Sequence, residues 1–599
     1  MTRTVSDGSN LPRPLSFTSS SPVGHLSSAR TFGGARFRGN ALGMGVTAMD
    51  QQLGWEPPNP GPWQQDSAHN PVAQTALLQH AYPAGFNRGF EEAFSGYGVL
   101  LDRLAMASIN GFTYHQPQPF DLPGPDGPKD PEWIGAEIGR RTGVAAGAFE
   151  NRIWREGMRR WDEELKPGSV TRHKALDVDR SALDDAQLQA HIEACIAEVS
   201  EMVYQHHRHN LHALVPVGDF LLQTAGWTGR PPVSLLAVFD GHSQVSGVVA
   251  PEIVPALEAL RKNDDARALL FSEGDPAAVL AQLREQVPAV EDYVAAVHFR
   301  LLDGFDLPNP TIGERPEGLV GRLQTALDLD VDAGLRRSDE FADELRGAVP
   351  AEHQAAYDDL LAEARHVYRL RDERGLYSEI SAIGLLRLSL LELGRRLHQQ
   401  GRVDEVEDVV EVRADELGAL FAGEPAPTAS DLRDRRVDRI ARSGAGAPRH
   451  LGPPPPAPPP VEMLPPPLGR VMGAVGFLID GILGQKEAPE GDATTIVGIP
   501  GARGVVEGPV RLVRSIDDLF TLEPGDVLVT PTTGEAFNSM LHLVSAIVTD
   551  HGSFASHAAI VSREMGIPAV VGTCDGTDRL STATRVRVDG TSGEVTILE

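Results

Sequence analysis

Hydrophobic side chains recur every three or four residues through much of the chain, which is the spacing of one face of an α-helix. The pattern runs through four stretches: residues 90–108, 132–165, 185–225 and 351–420. Between 231 and 350 the same period is broken by frequent glycine and proline, and 109–125 predicts a strand or turn with a Pro-rich exit. We therefore predict a mainly α-helical body over residues 45–442.

The segments on either side of this body lack a regular period. Residues 1–44 are rich in Gly, Ser and Arg, which predicts a disordered arm. Residues 443–493 open with a Pro-rich run, and in a polyproline II conformation Pro453–Pro467 would reach about 45 Å. We interpret this segment as a tether and connecting segment. An SH3-type ligand and an inert spacer are the alternatives.

The pattern changes again in residues 494–599, where short apolar runs alternate with turns. A strand is predicted at Val544–Val548, and a turn comes after it at Gly552. Helical spacing then begins at His557 and stops at Gly566. The pattern predicts a strand, a turn and a helix that carries a histidine in its first turn.

Composition narrows the class of partner and the compartment. The 599 residues are 41% hydrophobic and 23% charged, as in an ordinary globular protein of several domains, and the net charge is −29. Such an acidic chain is not expected to bind nucleic acid or an anionic membrane. The two cysteines, Cys195 and Cys574, offer no disulfide framework. The N-terminus lacks a signal-peptide core and Val471–Leu483 is too short to span a membrane, so we expect a cytoplasmic protein.

The position of His557 suits phosphoryl chemistry. A side chain in the first turn of a helix lies beside backbone N–H groups without an intrahelical partner and beside the positive end of the helix dipole. An attached phosphate finds donors there, and the imidazole is kept neutral with one nitrogen able to act as a nucleophile. The alternative is an ordinary surface or capping histidine.

The stretch Thr549–Gly572, TDHGSFASHAAIVSREMGIPAVVG, resembles the phosphohistidine signature of the mobile domain of the phosphoenolpyruvate-utilising enzymes. The matching positions are Thr549, Asp550, Gly552, Ser556, His557, Ala558, Ala559, Ile560, Val561, Arg563, Glu564, Gly566, Ile567, Pro568 and Gly572. Ser562 replaces an alanine, and Ser553 replaces a second glycine and is expected to stiffen the turn. The resemblance implies a C-terminal β/β/α swivelling phosphohistidine domain over residues 494–599.

The resemblance also implies roles for individual residues. His557 is expected to be the catalytic residue that carries a phosphoryl group. Four residues are expected to bind the phosphate: Thr549, Gly552, Ser556 and Arg563. Arg563 would stabilise charge on the transferring group, with a salt bridge on the helix surface as the alternative. Glu564 is expected to be structural.

The helical body offers candidate substrate-binding residues: Arg371, Arg374, Arg387 and His209. Arginine suits bidentate contact with phosphate or carboxylate, but ordinary ion pairs with Asp372 or Glu373 fit the same spacing. His206 and His212 each lie three residues from His209, yet no E-x-x-H motif completes a ligand set. We therefore predict no metal site.

Part of the body is similar to the helical substrate domain of the rifampicin phosphotransferases and their relatives. The matching positions are Leu391, Glu392, Gly394, Arg395, Arg396 and Leu397, then Asp408, Val409, Glu416 and Leu417. This similarity implies the architecture of a substrate-binding domain and no particular acceptor.

These observations predict a dikinase-like transferase component. No Gly-rich phosphate loop or Lys-centred nucleotide motif occurs in the sequence, so no ATP-grasp domain is predicted within it. We expect a separate ATP-grasp protein, which binds ATP and Mg²⁺, to phosphorylate His557, and the helical body to bind an acceptor of unknown identity. Two alternatives stay open: a phosphocarrier or regulatory binding protein without catalysis, and a degenerate domain whose histidine is never phosphorylated.

Overall fold

The computed structural model describes residues 54–67, 69–122, 127–243, 249–327, 329–443, 446–454, 457–483 and 494–599. The predicted arm over residues 1–44 lies outside the described residues, as do residues 484–493 of the predicted tether. Helices form most of the chain as far as Leu483, and most of the strands lie in residues 494–599.

The α-helices are, in chain order, α1 (Ala76–Tyr97), α2 (Pro131–Glu150), α3 (Ile153–Arg160), α4 (Lys166–Leu176), α5 (Asp185–Arg208), α6 (Asn210–Thr228), α7 (Val254–Arg261), α8 (Asp264–Leu270), α9 (Pro276–Gln286), α10 (Pro288–Val297), α11 (Pro316–Leu327), α12 (Val331–Ala348), α13 (Gln354–Tyr368), α14 (Leu370–Leu376), α15 (Glu379–Gln399), α16 (Leu417–Phe421), α17 (Ala429–Ser443), α18 (Pro466–Leu483), α19 (Ile516–Leu519), α20 (His557–Met565) and α21 (Gly576–Arg579).

The strands are β1 (Trp63–Gln65), β2 (Leu101–Ile109), β3 (Phe112–Pro119), β4 (His450–Leu451), β5 (Thr495–Val497), β6 (Ile499–Ala502), β7 (Val505–Leu512), β8 (Asp526–Thr530), β9 (Val544–Thr549), β10 (Ala569–Val571), β11 (Arg585–Asp589) and β12 (Glu594–Ile597). A π-helical segment, Trp161–Leu165, joins α3 to α4. Short 3-10 helices include Pro232–Phe239 and Glu535–Ser539.

Helix α5 lies at the centre of the helical body, where α1 and α15 pack along it. Its apolar stripe is buried among them and includes Ile192, Val199 and Met202. Gly85 and Gly89 let α1 approach α5 closely: a β-carbon on Gly85 would lie 2.2 Å from the carbonyl oxygen of Ser200. The periodicity of the sequence therefore translates directly into the packing of this body.

One predicted helix is too long. The expected helix over residues 90–108 ends at Tyr97, because Gly98 adopts a left-handed conformation with φ of 68° and stops it. Strands β2 and β3 come next as a hairpin, joined by Asn110 and Gly111 with φ values of 54° and 88°. An Asn-Gly pair with two positive φ angles is typical of a two-residue hairpin turn, and it confirms the strand and turn predicted beyond residue 109.

The Pro-rich segment does not behave as a free spacer in its described parts. Strand β4 pairs with β1, so the chain before the proline run belongs to a four-stranded sheet of order β2-β3-β1-β4. Helix α18 packs on α6, and Arg470 there donates to Asp219 with Nε 2.9 Å from Oδ1. Packing thus fixes residues 446–454 and 466–483 to the body in this structure, so these two stretches do not act as a free tether here.

The C-terminal strands form one sheet of order β5-β12-β11-β7-β8-β9-β10-β6. The central pairs β7–β8, β8–β9 and β9–β10 are parallel, and the remaining pairs are antiparallel. Helix α20 packs against β6 and β10. A mainly helical body succeeded by a C-terminal β-rich domain is thus confirmed.

A hydrophobic cluster joins the C-terminal domain to part of the body. It includes Leu319 and Leu323 of α11 together with Leu519 and Leu541 of the C-terminal domain. A β-carbon on Gly321 would lie 2.8 Å from the carbonyl oxygen of Ser539, so the two parts approach at backbone distance. Among the described helices, none is long and apolar enough to cross a membrane.

Candidate active site

His557 begins α20, directly after the turn that leaves β9. Gly552 shapes this turn with φ of 108°, and a β-carbon there would lie 2.8 Å from Oγ of Ser556. Ser556 is the N-cap residue, but its hydroxyl donates to the carbonyl of Ser553 at 2.8 Å and not to the helix. No side chain therefore caps the first-turn N–H groups of α20, which remain available to an anion.

The imidazole of His557 presents one engaged and one unengaged nitrogen. Nδ1 lies 3.0 Å from Oγ1 of Thr533, within hydrogen-bond distance. Nε2 is buried and has no hydrogen-bond partner among the described residues. Burial lowers the pKa of His557 to about 4, and the positive charges of Arg322 and Arg371 act in the same direction against Asp372. The ring is therefore neutral near pH 7.

The helical body faces this histidine through Arg371 of α14. Its guanidinium lines a small cavity with Tyr368 of α13, Leu478 of α18 and Ala555 of the turn before His557. The cavity has room for about one water molecule. In this arrangement the C-terminal domain is docked against the body.

Helix α20 is held against the body at its C-terminal end. The carboxylate of Glu564 accepts a hydrogen bond from the backbone N–H of Gly241 at 2.7 Å. Arg337 of α12 donates to the carbonyl of Arg563 at 3.2 Å. Burial raises the pKa of Glu564 to about 8, and the nearby charge of Asp240 adds to the shift. Residues 231–350 thus supply part of the contact with α20.

In this arrangement, side chains that were expected to bind phosphate form hydrogen bonds with backbone carbonyls of the C-terminal domain. Thr549 is fully buried, and its hydroxyl donates to the carbonyl of His551 at 2.8 Å. The hydroxyl of Ser556 also donates a hydrogen bond to a carbonyl, so neither hydroxyl is available to donate to a phosphate in this arrangement. Arg563 donates from Nη1 to the carbonyl of Gly501 at 2.7 Å, which makes it a link within the C-terminal domain. Its Nη2 is buried without a partner among the described residues.

The four candidates in the body separate into two groups. The positive charge of Arg371 acts on His557, and Arg374 donates hydrogen bonds to the carbonyls of Arg371 and His206. Arg387 instead forms a two-pronged ion pair with Glu314, with contacts of 2.9 and 2.8 Å. His209 is buried, and its Nδ1 lies 2.8 Å from the carbonyl of Gln205. In this arrangement both side chains are therefore engaged within the body, and neither Arg387 nor His209 is free to contact a substrate.

The turn at Ser553 does not need a glycine. Ser553 is not among the described residues that adopt a positive φ, so a side chain at this position brings no backbone strain. The expectation that Ser553 stiffens the turn therefore has no support in the backbone conformation.

Sequence reasoning missed several residues that contact or act on His557 and α20: Thr533, Asp372, Arg322 and the loop 240–243. A signal existed for Thr533, because β8 and β9 are parallel neighbours and their carboxyl ends meet at one edge of the sheet. The others come from distant helices, and no local pattern in the sequence marks them. In the described part of the chain, no group of three or more His, Cys, Asp or Glu side chains could hold a metal ion.

The class of the C-terminal domain is given by comparison with known families. Residues 522–593 match the family described as "PEP-utilising enzyme, mobile domain". This range contains Thr533, His557 and the whole of α20. The chain therefore carries the mobile domain of the phosphoenolpyruvate-utilising enzymes.

Individual relatives extend the similarity into the body. The chain is 31% identical to chondramide synthase of Chondromyces crocatus over 51% of its own length and 8% of the relative's. It is 27% identical to rifampicin phosphotransferase of Streptomyces sviceus over 52% of this chain and 34% of that one. It is 43% identical to phosphoenolpyruvate synthase of Aeropyrum pernix over 18% of this chain and 14% of that one. The chain thus spans about a third or less of each of these relatives.

Proposed function

We propose that His557 receives a phosphoryl group and passes it to an acceptor bound by the helical body. The observation that carries this proposal is the unengaged, buried Nε2 of a neutral imidazole at an uncapped helix start, with Arg371 on the facing body. The names of the relatives, among them a rifampicin phosphotransferase and a phosphoenolpyruvate synthase, support the same class of reaction.

The chemistry depends on the two ring nitrogens. With Nδ1–H donating to the Thr533 hydroxyl, the lone pair lies on Nε2, which attacks phosphorus while the bond to the donor's leaving oxygen breaks. The first-turn N–H groups of α20 and the guanidinium of Arg371 then offset the charge of the bound phosphoryl group. In the second step an acceptor oxygen bonds to phosphorus, the P–Nε2 bond breaks, and the electron pair returns to Nε2.

The acceptor hydroxyl must lose its proton in that second step. Asp372 is our candidate for the base, because its negative charge acts on the His557 ring from the body side. Its carboxylate already accepts a hydrogen bond from Ser243, which orients it. Its negative charge near His557 and its hydrogen bond from Ser243 are the support for this role.

For the donor we propose a separate ATP-grasp protein that binds ATP and Mg²⁺. The support is the lack of a Gly-rich phosphate loop or Lys-centred nucleotide motif in the sequence. The residues around His557 also include no nucleotide-binding motif. ATP would supply the phosphoryl group, and every later step uses residues of this chain.

The test is phosphorylation with labelled ATP, Mg²⁺ and a candidate ATP-grasp protein, and then an assay for acid-labile phosphate. We expect label on the native chain and none on His557→Ala. The matched control is His551→Asn, a histidine of the same turn, which should label normally. Equal labelling of His557→Ala and the native chain would overturn the proposal, and label that never leaves for any small acceptor would favour a phosphocarrier.

A further inference from the structure

One aromatic side chain of the C-terminal domain lies in the hydrophobic core of the helical body. Phe554 belongs to the turn between β9 and α20, three residues before His557. It is only 8% exposed, and with Ala555 it joins the main hydrophobic cluster of the body. Among the described residues of 494–599, these two are the buried members of that cluster. The turn thus contributes one large side chain to the core of the body.

The ring of Phe554 fits against one face of α18. It stacks on the ring of Phe477, with centroids 5.1 Å apart and planes 23° from parallel. The tip of the ring approaches Gly481, one helical turn further along the same face, where a β-carbon would lie 2.2 Å from Cζ. Any side chain at position 481 would therefore displace the ring. We call Phe477 and Gly481 the α18 notch.

The α18 notch is fixed to the body. Helix α18 packs on α6, where a β-carbon on Gly218 would lie 2.7 Å from the carbonyl oxygen of Ala474. Val471 and Val475 of α18 are buried in the same cluster that receives Phe554. The ring therefore meets a surface that is itself held in the core of the body.

The backbone between Phe554 and His557 is held by local hydrogen bonds. The N–H and the hydroxyl of Ser556 both donate to the carbonyl of Ser553, at 2.9 and 2.8 Å. Nε2 of His557 is buried in the arrangement that places the ring in the notch. Because the turn is short and internally bonded, we expect the ring and the histidine to leave the body together.

We propose that Phe554 in the α18 notch is a latch, which holds the turn on the body and keeps Nε2 of His557 from a phosphoryl donor until the ring leaves. Phe554 is then a positioning residue, since it acts through the location of His557. The effect on phosphorylation rests on the proposed function, whereas the latch itself does not.

The first test measures how often His557 is exposed, without any phosphoryl donor. Diethyl pyrocarbonate modifies unprotonated imidazole nitrogens, and mass spectrometry reports each histidine separately. We expect Phe554→Ala and Gly481→Ala each to raise the modification rate of His557 about tenfold, because each removes a buried aromatic contact. The matched control is Gly476→Ala on the same helix, which has open space around it and should leave the rate unchanged.

Two other histidines distinguish release of the turn from unfolding. His209 is buried in the body and should stay unreactive, whereas the exposed His80 should react equally in every chain. If Phe554→Ala also makes His209 reactive, the Gly481→Ala chain, which keeps the ring, decides the test. An unchanged modification rate of His557 in the folded variants would overturn the latch.

The two substitutions should not be additive. Once the ring is absent, the nearest atoms that a methyl group at position 481 would meet are gone. The double variant should therefore be modified at the rate of Phe554→Ala alone. Effects that multiply would show that the two residues act independently, which contradicts the contact on which the latch depends.

The second test applies a small phosphoryl donor, potassium phosphoramidate. Nε2 of His557 bonds to phosphorus while the P–N bond of the donor breaks and ammonia leaves. We expect Phe554→Ala and Gly481→Ala to be phosphorylated at His557 about tenfold faster than the native chain and Gly476→Ala. Damage to the fold around the histidine would slow this reaction, so a slower or equal rate in both variants contradicts the latch.

The two tests separate the latch from the proposed function. Faster modification by diethyl pyrocarbonate in chains whose His557 never takes up phosphate would retain the latch and count against phosphoryl transfer. Phosphorylation of His557 at one rate in all of these chains would retain the carrier and remove the latch.

Discussion

At the scale of single residues, the hydrogen bond between Thr533 and His557 decides which ring nitrogen can react. Nδ1 is engaged at 3.0 Å, whereas Nε2 has no partner among the described residues. A histidine nitrogen that donates a hydrogen bond fixes the tautomer and places the lone pair on the other nitrogen. If Nδ1 donates to the Thr533 hydroxyl, as proposed, we expect Thr533 to act as a positioning residue, one strand away from the motif that marks His557.

Replacing Thr533 by Val should slow phosphorylation of His557 about tenfold. The change removes a hydrogen bond of about 1.4 kcal/mol and leaves the tautomer unfixed while the shape of the side chain is kept. The initial rate of acid-labile labelling measures the effect. Thr533→Ser retains the hydroxyl and should recover most of the rate, and a Val variant as fast as the native chain would rule out the positioning role.

Replacing Arg371 by Gln should leave labelling of His557 largely intact and slow discharge to the acceptor about a hundredfold. The reason is that Arg371 belongs to the body and offsets the charge that develops during transfer in the docked state. A single-turnover assay starting from the labelled chain measures the discharge rate. Equal discharge from Arg371→Gln and the native chain would show that Arg371 plays no part in the transfer.

Arg387 provides the contrast for this experiment. Its guanidinium is buried and paired with Glu314, so Arg387→Ala leaves a partly buried carboxylate without its partner. We expect a loss of about 3 kcal/mol in the free energy of unfolding, with discharge per folded molecule unchanged. The comparison separates an arginine that acts on the phosphoryl group from one that holds helices together.

At the scale of elements, the contact between α20 and the body should depend on pH. Glu564 faces the N–H of Gly241 and the carboxylates of Asp240 and Asp372, and its pKa in the docked state is raised to about 8. A raised pKa means that docking favours the protonated carboxyl. The contribution of Glu564 to docking is therefore greatest near and below pH 4.5, and it weakens as the pH rises towards 8.

Replacing Glu564 by Gln should remove this pH dependence, because the amide stays neutral throughout. We expect the melting temperature of Glu564→Gln relative to the native chain to rise between pH 5.5 and pH 8.5. The pairwise comparison cancels the contribution of His557, whose lowered pKa acts in the opposite direction in both proteins. A difference that stays constant or falls across this range contradicts the role assigned to Glu564.

The same scale shows what the sequence could predict. The strand, turn and helix around His557 arise from local signals: an apolar run, a glycine at positive φ, and Gly566 in a left-handed conformation after the helix. The end of α1 also had a local signal, since Gly98 and the Asn110–Gly111 pair mark a stop and a hairpin. The spacing of apolar residues did not reveal the end of α1, because a short strand can show the same spacing as a helix.

The partners of His557 could not be predicted in this way. Arg322 and Asp372 reach the histidine from α11 and α14, and no pattern near either residue refers to the C-terminal domain. The Pro-rich run was misleading for a related reason. Proline sets the local conformation of the chain, but whether the residues beyond it pack is decided by apolar residues such as Leu468 and Val471 of α18, which are fully buried.

At the scale of the whole molecule, the part that moves is expected to be larger than the mobile domain alone. Helices α7–α11 share a hydrophobic cluster with the C-terminal domain. Thr325 of α11 also donates to the carbonyl of Ser539 at 3.0 Å. Exposing this cluster would cost more free energy than breaking the hydrogen bonds of α20 with Gly241 and Arg337 and opening the small cavity beside Arg371. We therefore infer that α7–α11 travel with His557.

Hydrogen–deuterium exchange on the phosphorylated and unphosphorylated chains tests this inference. Phosphorylation places added negative charge beside Asp372, so we expect faster exchange at the contact of α20 with residues 240–243. Exchange in α11 and in residues 537–543 should stay slow in both states, because these two segments are expected to move together and keep their contact. Faster exchange at α11 upon phosphorylation would show that the C-terminal domain leaves these helices behind.

The central claim is that Nε2 of His557 is the atom that carries the phosphoryl group. The most direct measurement is phosphorus–nitrogen correlation NMR on the phosphorylated, ¹⁵N-labelled chain, with mass spectrometry to locate the modified residue. We expect one phosphoramidate, on Nε2 of His557, and none in His557→Ala. Phosphate on Nδ1, on another residue, or in the His557→Ala chain would contradict it.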